Sequence, residues 1–387
     1  MRLDRISDFR CPQVIEKGGQ FNFCGGTLYI SEEAVPILRN RNDNDDALEG
    51  VLKCDVCSEP YPVIRGVLIL LSDVTTYIRE NYNNICRAVI ENAIPDQPVP
   101  HQMIEFLVSR GGRDARSTTQ DDWDQNLPRV LSRYIQAHYG DMTEGLELSR
   151  NSWHDFVKAY KDSGSGLYNI LLSMIPKTAS GVSNLSAGLA VDVGCSVGRM
   201  AYELTSDFDF VYGVDLCFSA ILSARRITRH SPIPQTTYSI MTDAGRWSDS
   251  ALIQVEACPN IEFLVASATA LPLESGSVNC LTTVNLIDVL PRPEELFKEA
   301  ARVLGAEKIL VMADPYCWRD TVVEQVRKRA SSSDYVTLNL QEHGFKIEQH
   351  KNSIPWLLRL HDRSWDVYLC DCFSAVKSTE GRQATIQ

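Results

Sequence analysis

The sequence predicts an α/β protein. A parallel sheet closed by an antiparallel hairpin forms its C-terminal half, and a small cysteine-bearing domain and a helical connecting region precede it. Three observations predict this. From Leu189 onward, short β-type runs alternate with helix-length segments, which demands crossover connections and therefore a parallel sheet. Between Thr75 and Lys177 apolar residues recur at three- and four-residue spacing, as in Ile78–Ile94 and Leu127–Tyr139, the period of amphipathic helices. Residues 1–72 lack that period and carry four of the 12 cysteines, Cys11, Cys24, Cys54 and Cys57.

The expected units are therefore residues 1–72, 73–180 and 181–378, with 379–387 as a disordered tail. Within the third unit, strands are expected in LAVDVG (Leu189–Gly194), FVYGVD (Phe210–Asp215), IEFLVAS (Ile261–Ser267), VNCLTTVNL (Val278–Leu286) and KILVMAD (Lys308–Asp314). Helices are expected from Arg199, from Ser219 and over Pro293–Leu304. Two further runs, Phe345–His350 and Trp365–Val376, read as a terminal hairpin joined by a longer connection. Gly111–Asp122 reads as an exposed loop, and Ser231–Pro259 as a surface insertion, being too long for an ordinary connection.

The chain has 387 residues and a net charge of -12, which weighs against a nucleic-acid partner and leaves a small molecule, or possession of a peptide or protein partner, in play. No stretch approaches the ~20 apolar residues that a membrane helix needs. Met1–Pro12 lacks the apolar run of a secretory signal, so a cytoplasmic location with reduced cysteines is expected.

The most informative stretch is Asp192-Val193-Gly194-Cys195-Ser196-Val197-Gly198-Arg199, which follows a strand and opens a helix. Glycines there let a ligand approach the backbone. Asp215 ends the next strand, where a carboxylate can accept both ribose hydroxyls of an adenosine. Two features suit S-adenosylmethionine better than a dinucleotide. Asp192 stands ready to face a cationic amino-acid group, and the glycine spacing, Gly-x-Ser-x-Gly, is tighter than GxGxxG. Ser196 occupies a slot often held by glycine.

Residues 129–376 resemble a class I S-adenosylmethionine-dependent methyltransferase, a Rossmann-like fold. Within it they are most similar to the mercaptohistidine imidazole N-methyltransferase domain of the ovothiol-biosynthesis enzyme. Five segments carry the resemblance: Tyr134–Gly140 (YIQAHYG), the DVGCSVGR turn, Asn285–Asp288 (NLID), Asp314–Trp318 (DPYCW) and Leu358–Arg363 (LRLHDR). The resemblance implies that Asp192, Gly194, Cys195, Ser196 and Gly198 line the methionine end of the cofactor. Asp215 and Leu216 would meet its ribose, and Ser267 and Ala268 its adenine. Asn285 would lie beside the reactive methyl, with Asp288 and Tyr316 completing the catalytic set. His138, Tyr139, Trp318, Arg359 and Arg363 would receive the acceptor, the arginines pairing a carboxylate. Each has a plainer reading: aromatic residues after a strand cap cores, and arginines on a hairpin are often only solvated. Cys195 suits packing better than nucleophilic attack. Cys370 and Cys372 share one side of a strand, but two thiols make a poor metal site.

At the N-terminus, Cys54-Asp-Val-Cys57 follows Cys11-Pro12 and Cys24-Gly25-Gly26. The arrangement is similar to the small zinc-ribbon activator of tRNA and protein methyltransferases, with a longer insertion between Pro12 and Cys24. Four thiolates can close a tetrahedral zinc site across loops of varied length. No thioredoxin-like βαβ pattern surrounds Cys54 to support a redox role.

The leading expectation is an S-adenosylmethionine-dependent N-methyltransferase of a small imidazole-bearing or amino-acid-like molecule, such as a histidine derivative or a natural-product intermediate. Two others stand beside it: an RNA or protein methyltransferase docking through the ribbon, and a scaffold that keeps the fold without catalysis.

Overall fold

The computed structural model describes residues 1–17, 20–31, 35–40, 43–91, 93–94, 97–111, 121–144, 166–176, 188–229, 237–242, 245–253, 255–361 and 363–378. The core of the fold is one mixed sheet. Five parallel strands come first in the argument: β9 (Leu189–Val193), β10 (Phe210–Asp215), β13 (Ile261–Val265), β14 (Val278–Val284) and β15 (Leu304–Asp314). Antiparallel β17 (Ser364–Lys377) pairs with β15, and β16 (Phe345–His361) pairs with β17 at the edge. The order across this part is β16-β17-β15-β14-β9-β10-β13, the Rossmann-like class I methyltransferase sheet. All five residues of β13 and the first five of β10 are buried, as expected for strands covered on both faces.

The sheet does not end at β13. β7 (Val67–Ile69) pairs with it in parallel, Leu68 opposite Leu264 and Ile69 opposite Val265. Antiparallel β6 (Pro60–Ile64), β5 (Asp43–Cys54) and β3 (Leu28–Ile30) continue it, and β4 (Leu38–Asn40) branches from β5, making 12 strands. A short hairpin of β1 (Val14–Lys17) and β2 (Gln20–Phe23) lies outside this sheet. The cysteine-bearing segment is thus an extension of the catalytic sheet, an outcome that residue composition alone does not reveal.

Charge seals the junction. Arg225 lies on helix Phe218–Thr228, and its Nη1 donates to Glu262 Oε1 of β13 at 2.7 Å, while its Nη2 donates to Asp46 Oδ1 of β5. Arg229 Nη1 donates to the second Glu262 oxygen at 2.7 Å. Glu262 is fully buried. A Cβ on Gly66, where φ is +81°, would come within 2.5 Å of Arg225 Nε, so this turn tolerates only glycine. Phe9 packs on Tyr212 with ring centroids 5.0 Å apart, and Tyr212 donates to Asp8 Oδ2 at 2.6 Å.

Over the sheet lie helices Val74–Glu91, His101–Gly111, Asp121–Tyr139 and Gly166–Ser173. Part of the expected helical region instead supplies β8 (Thr143–Glu144), which joins β11 (Thr237–Met241) and β12 (Trp247–Ile253) in a separate three-stranded sheet. The described part of the Ser231–Pro259 insertion thus contains two paired strands. The Gly112–Gln120 part of the expected loop and the tail 379–387 lie outside the described residues.

The hairpin also departs from expectation. Leu358–His361, read as a connection, belongs to β16, with Leu358 opposite Asp366 and Arg359 opposite Trp365. Pro355 obscures the strand signal, but an edge strand has no second neighbour that needs its missing N–H.

Removing the Glu262 charge takes one carboxylate from two buried guanidinium groups and leaves them to share Asp46. Glu262→Gln is expected to lower unfolding stability by about 3–5 kcal/mol in urea denaturation. Asp4→Asn, on an exposed pair with Arg2, is expected to change it by no more than about 1 kcal/mol.

Candidate active site

The ends of β9, β10, β13 and β14 open into a cavity of about 830 Å³, within the size range of small-molecule sites. The turn after β9 shapes its floor. Gly194, Ser196 and Gly198 all have left-handed backbones, at φ +75°, +50° and +85°. A Cβ on Gly198 would lie 2.7 Å from the Phe263 ring, so close packing of turn on sheet requires glycine there. Ser196 accepts the strained conformation because its N–H donates to Asp215 Oδ2 at 2.9 Å. The other Asp215 oxygen receives the Cys217 N–H at 2.8 Å. Asp215 therefore ties the turn to the end of β10 and still has lone pairs facing the cavity.

Asp192 is buried beneath the turn, receiving Thr282 Oγ1 at 2.8 Å and the Ala201 N–H at 3.1 Å. Burial pushes its carboxyl up to about 7. Burial also raises Asp215.

Beyond β14, Asn285 has φ +53°, and its Oδ1 receives the Cys370 thiol at 3.5 Å. Asp314 holds the two turns at the strand ends together: its Oδ2 receives the Ile287 N–H at 3.1 Å and its Oδ1 the Tyr316 N–H at 2.8 Å. Asp288 Oδ2 receives the Cys317 N–H at 2.8 Å. Burial raises both carboxyls, and their mutual proximity raises Asp314 further. Two close carboxyls of this kind favour a shared proton.

Asp192, Gly194, Cys195, Ser196, Asp215, Leu216, Ser267, Ala268, Asn285, Asp288 and His138 all line this one cavity. Among the described lining residues, six others of the expected set are missing. Gly198 lies under the turn, against Phe263. Tyr139 is buried and donates to Val197 O at 2.9 Å, bracing the turn from behind. Tyr316 donates to Asp371 Oδ2 at 3.2 Å and stacks on Trp318, with centroids 5.7 Å apart and planes at 9°. Trp318 Nε1 is turned to Ser332 Oγ at 2.9 Å. Arg359 is buried along the hairpin, with its Nε donating to His361 O at 3.3 Å and its guanidinium 5.5 Å from the Trp365 ring. Arg363 is exposed at the hairpin tip.

In their place the cavity wall includes Tyr134, Tyr168, Trp356 and Tyr368, and the arginines at its mouth are Arg292 and Arg319. Tyr134 lies within the YIQAHYG segment. The others carry no sequence signal, because Tyr168, Trp356 and Tyr368 reach the cavity from separate elements.

His138 is deeply buried, and burial with the Arg199 charge behind it lowers its imidazole to about 3. It stays neutral in the folded protein while the unfolded imidazole takes a proton below pH 6.5. Stability is therefore lost as pH falls from about 6.5 toward 3. Relative to His138→Gln, the protein is expected to lose about 1.4 kcal/mol per pH unit below 6 in urea denaturation series at stepped pH. Equal slopes would contradict a buried neutral imidazole.

Residues 191–312 match the family model described as "Methyltransferase domain". No curated protein matches the chain by sequence. Similar solved structures include the complex between the Haloferax volcanii Trm112 methyltransferase activator and its methyltransferase, at 14% identity and TM-score 0.40, covering 68% of this chain and 98% of that one. Magnesium protoporphyrin IX methyltransferase from Synechocystis PCC 6803 with bound SAH is 14% identical over 67% of this chain and 100% of its own, with TM-score 0.39. A methyltransferase from Bacillus halodurans C-125 is 17% identical over 56% and 100%, with TM-score 0.37. Residues 191–312, the part that matches the methyltransferase-domain model, therefore carry the strand order and glycine turn of the Rossmann-like class I fold.

Proposed function

We propose that the protein transfers a methyl group from S-adenosylmethionine to a nitrogen of a small imidazole-containing or amino-acid-like molecule. The observation that carries this reading is the division of one cavity between two sets of residues. Asp192, Gly194, Ser196, Asp215, Ser267 and Ala268 lie at the ends of β9, β10 and β13, whereas Asn285 and Asp288 follow β14 and His138 comes from helix Asp121–Tyr139. The first set fits the cofactor: a buried carboxyl for its ammonium, a left-handed glycine at Gly194 for close backbone approach, and Asp215 for its ribose.

When bound, the cofactor supplies a methyl group already activated on a sulfonium. The chain's residues then have to orient the acceptor, exclude water and receive a proton; orientation alone is worth ~7 to 11 kcal/mol of barrier. Asn285, fixed by its left-handed backbone, lines the cavity, with its side-chain oxygen held by the Cys370 thiol. Asp288, its carboxyl raised by burial, can hold the second N–H of an imidazole and take up its proton as charge develops there. A neutral imidazole nitrogen is itself nucleophilic, so no stronger base is required.

We further propose a structural zinc ion between Cys11, Cys24, Cys54 and Cys57. Their four Sγ atoms lie within 4.8 Å of one another, with Cys11 and Cys57 at 3.5 Å and Cys24 and Cys54 at 3.6 Å. Tetrahedral zinc with bonds of ~2.3 Å places sulfurs about 3.8 Å apart, so the donor set fits. Cys54 Sγ also receives the N–H groups of Val56 and Cys57, at 3.4 and 3.5 Å, which steadies a thiolate. The ribbon's inner edge is already committed to β13, which supports an integral role over docking of RNA.

Two experiments test these assignments. Calorimetry with S-adenosylhomocysteine should show affinity rising as pH increases through about 7, where Asp192 ionises opposite the ligand's ammonium. Asp192→Asn should weaken binding roughly tenfold and flatten that dependence; absence of binding to the unaltered protein refutes the cofactor assignment. Metal analysis should find one zinc per chain, and Cys54→Ser should abolish it and lower the melting temperature by several degrees.

A further inference from the structure

Five ring-bearing residues from four separate elements meet on the far side of the cavity. Tyr134 and His138 come from helix Asp121–Tyr139, Tyr168 from helix Gly166–Ser173, Trp356 from β16 and Tyr368 from β17. Neighbouring centroids are 5.7 Å apart for His138 and Tyr168, 6.5 Å for Tyr134 and Trp356, and 5.4 Å for Trp356 and Tyr368. Strand order locates the box. Asp215 and Ser267 stand on the β10 and β13 side of β9, whereas β16 and β17 lie beyond β15 on the other. The box therefore faces the acceptor half of the cavity, past Asn285.

Three of its polar atoms are unmatched. His138 Nδ1, Tyr168 Oη and Trp356 Nε1 are buried and have no hydrogen-bond partner among the described residues. The Trp356 N–H is directed toward the Tyr168 hydroxyl closely enough to favour its ionised form, but it falls short of hydrogen-bond geometry. Buried polar atoms left alone cost ~1–3 kcal/mol each, so three at one place mark somewhere a ligand completes the set. No side chain in the box is charged: burial keeps His138 neutral. Behind the box, Arg199 lies 5.4 Å from the Tyr168 ring, its own charge matched by Asp141 and Glu203.

We propose that this box receives an α-amino-acid head group, its carboxylate against the Tyr168 hydroxyl and the Trp356 N–H, and its ammonium against the faces of Tyr134 and Tyr368. Neutral N–H and O–H donors with no partner of their own suit a carboxylate, and aromatic faces suit an ammonium. The head group belongs either to the acceptor, as the strand order favours, or to the methionine portion of the cofactor. The proposal rests on the methyltransferase reading of this same cavity and adds the recognition element that Arg359 and Arg363 do not provide.

The test is calorimetry on the full chain and on Tyr168→Phe and Trp356→Phe, each first checked for unchanged circular dichroism and melting temperature. Four probes are used: S-adenosylhomocysteine; 5′-methylthioadenosine, which lacks the amino-acid head; and, on protein saturated with S-adenosylhomocysteine, histidine and histamine. If the acceptor's head group sits in the box, both variants bind histidine roughly tenfold more weakly and histamine and the nucleosides unchanged. If it is the cofactor's, both bind S-adenosylhomocysteine roughly tenfold more weakly and 5′-methylthioadenosine unchanged. Unchanged S-adenosylhomocysteine binding, together with histidine that binds no more weakly to the variants or does not bind at all, overturns the proposal. Failure of the unaltered protein to bind either nucleoside instead overturns the cofactor reading beneath it.

Discussion

Arg225 is the side chain on which the architecture turns. One guanidinium, buried with its partners, bonds Asp46 of the cysteine-bearing segment and Glu262 of β13. Charges taken out of water this far persist only when every one is matched, and their geometry is then demanding. The match holds β5, β13 and helix Phe218–Thr228 in one relative position. That helix begins just past Asp215, and Ser267 follows β13, so the ion cluster also holds the cavity walls at the ends of β10 and β13.

The parallel pairing of β7 with β13 belongs to the same constraint. An unpaired β13 edge would expose a row of backbone donors and acceptors. β7 covers part of it, and Leu70 N–H donates to Val265 O at 2.8 Å where the strands end. Cys11 and Cys54 are buried within the same apolar cluster as the catalytic strands. The four-cysteine segment and the strands of the active site thereby share one packed core.

Strain collects where function is expected. Ser196 and Asn285, both with left-handed backbones, mark the turns after β9 and β14, and Tyr316 does so after β15. A non-glycine residue in that region costs about 1 kcal/mol or more and survives when its surroundings over-determine it. Asp215 does this for Ser196 and Asp314 for Tyr316, each with a carboxylate oxygen aimed at the backbone N–H. The acids at the strand ends are as much struts for the turns as candidates for chemistry.

Much of this was legible in the chain, for local reasons. The glycine turn, the acid after β10, the alternation of strand and helix and the grouping of Cys11, Cys24, Cys54 and Cys57 all follow from backbone freedom, burial on two faces and ligand type, which neighbouring residues encode. What lay hidden depends on residues far apart in sequence. Leu358–His361 became strand only through pairing with Ser364–Asp366, and Arg359, an evident substrate clamp by residue type, was folded back along its own hairpin. The meeting of Tyr168 with Trp356 and Tyr368, which lie about 190 and 200 positions further along the chain, has no local signature. Local sequence determined which turns could cradle a ligand; tertiary structure alone decided which side chains face it, because cavity walls are assembled by packing and register between elements that carry no mark of one another.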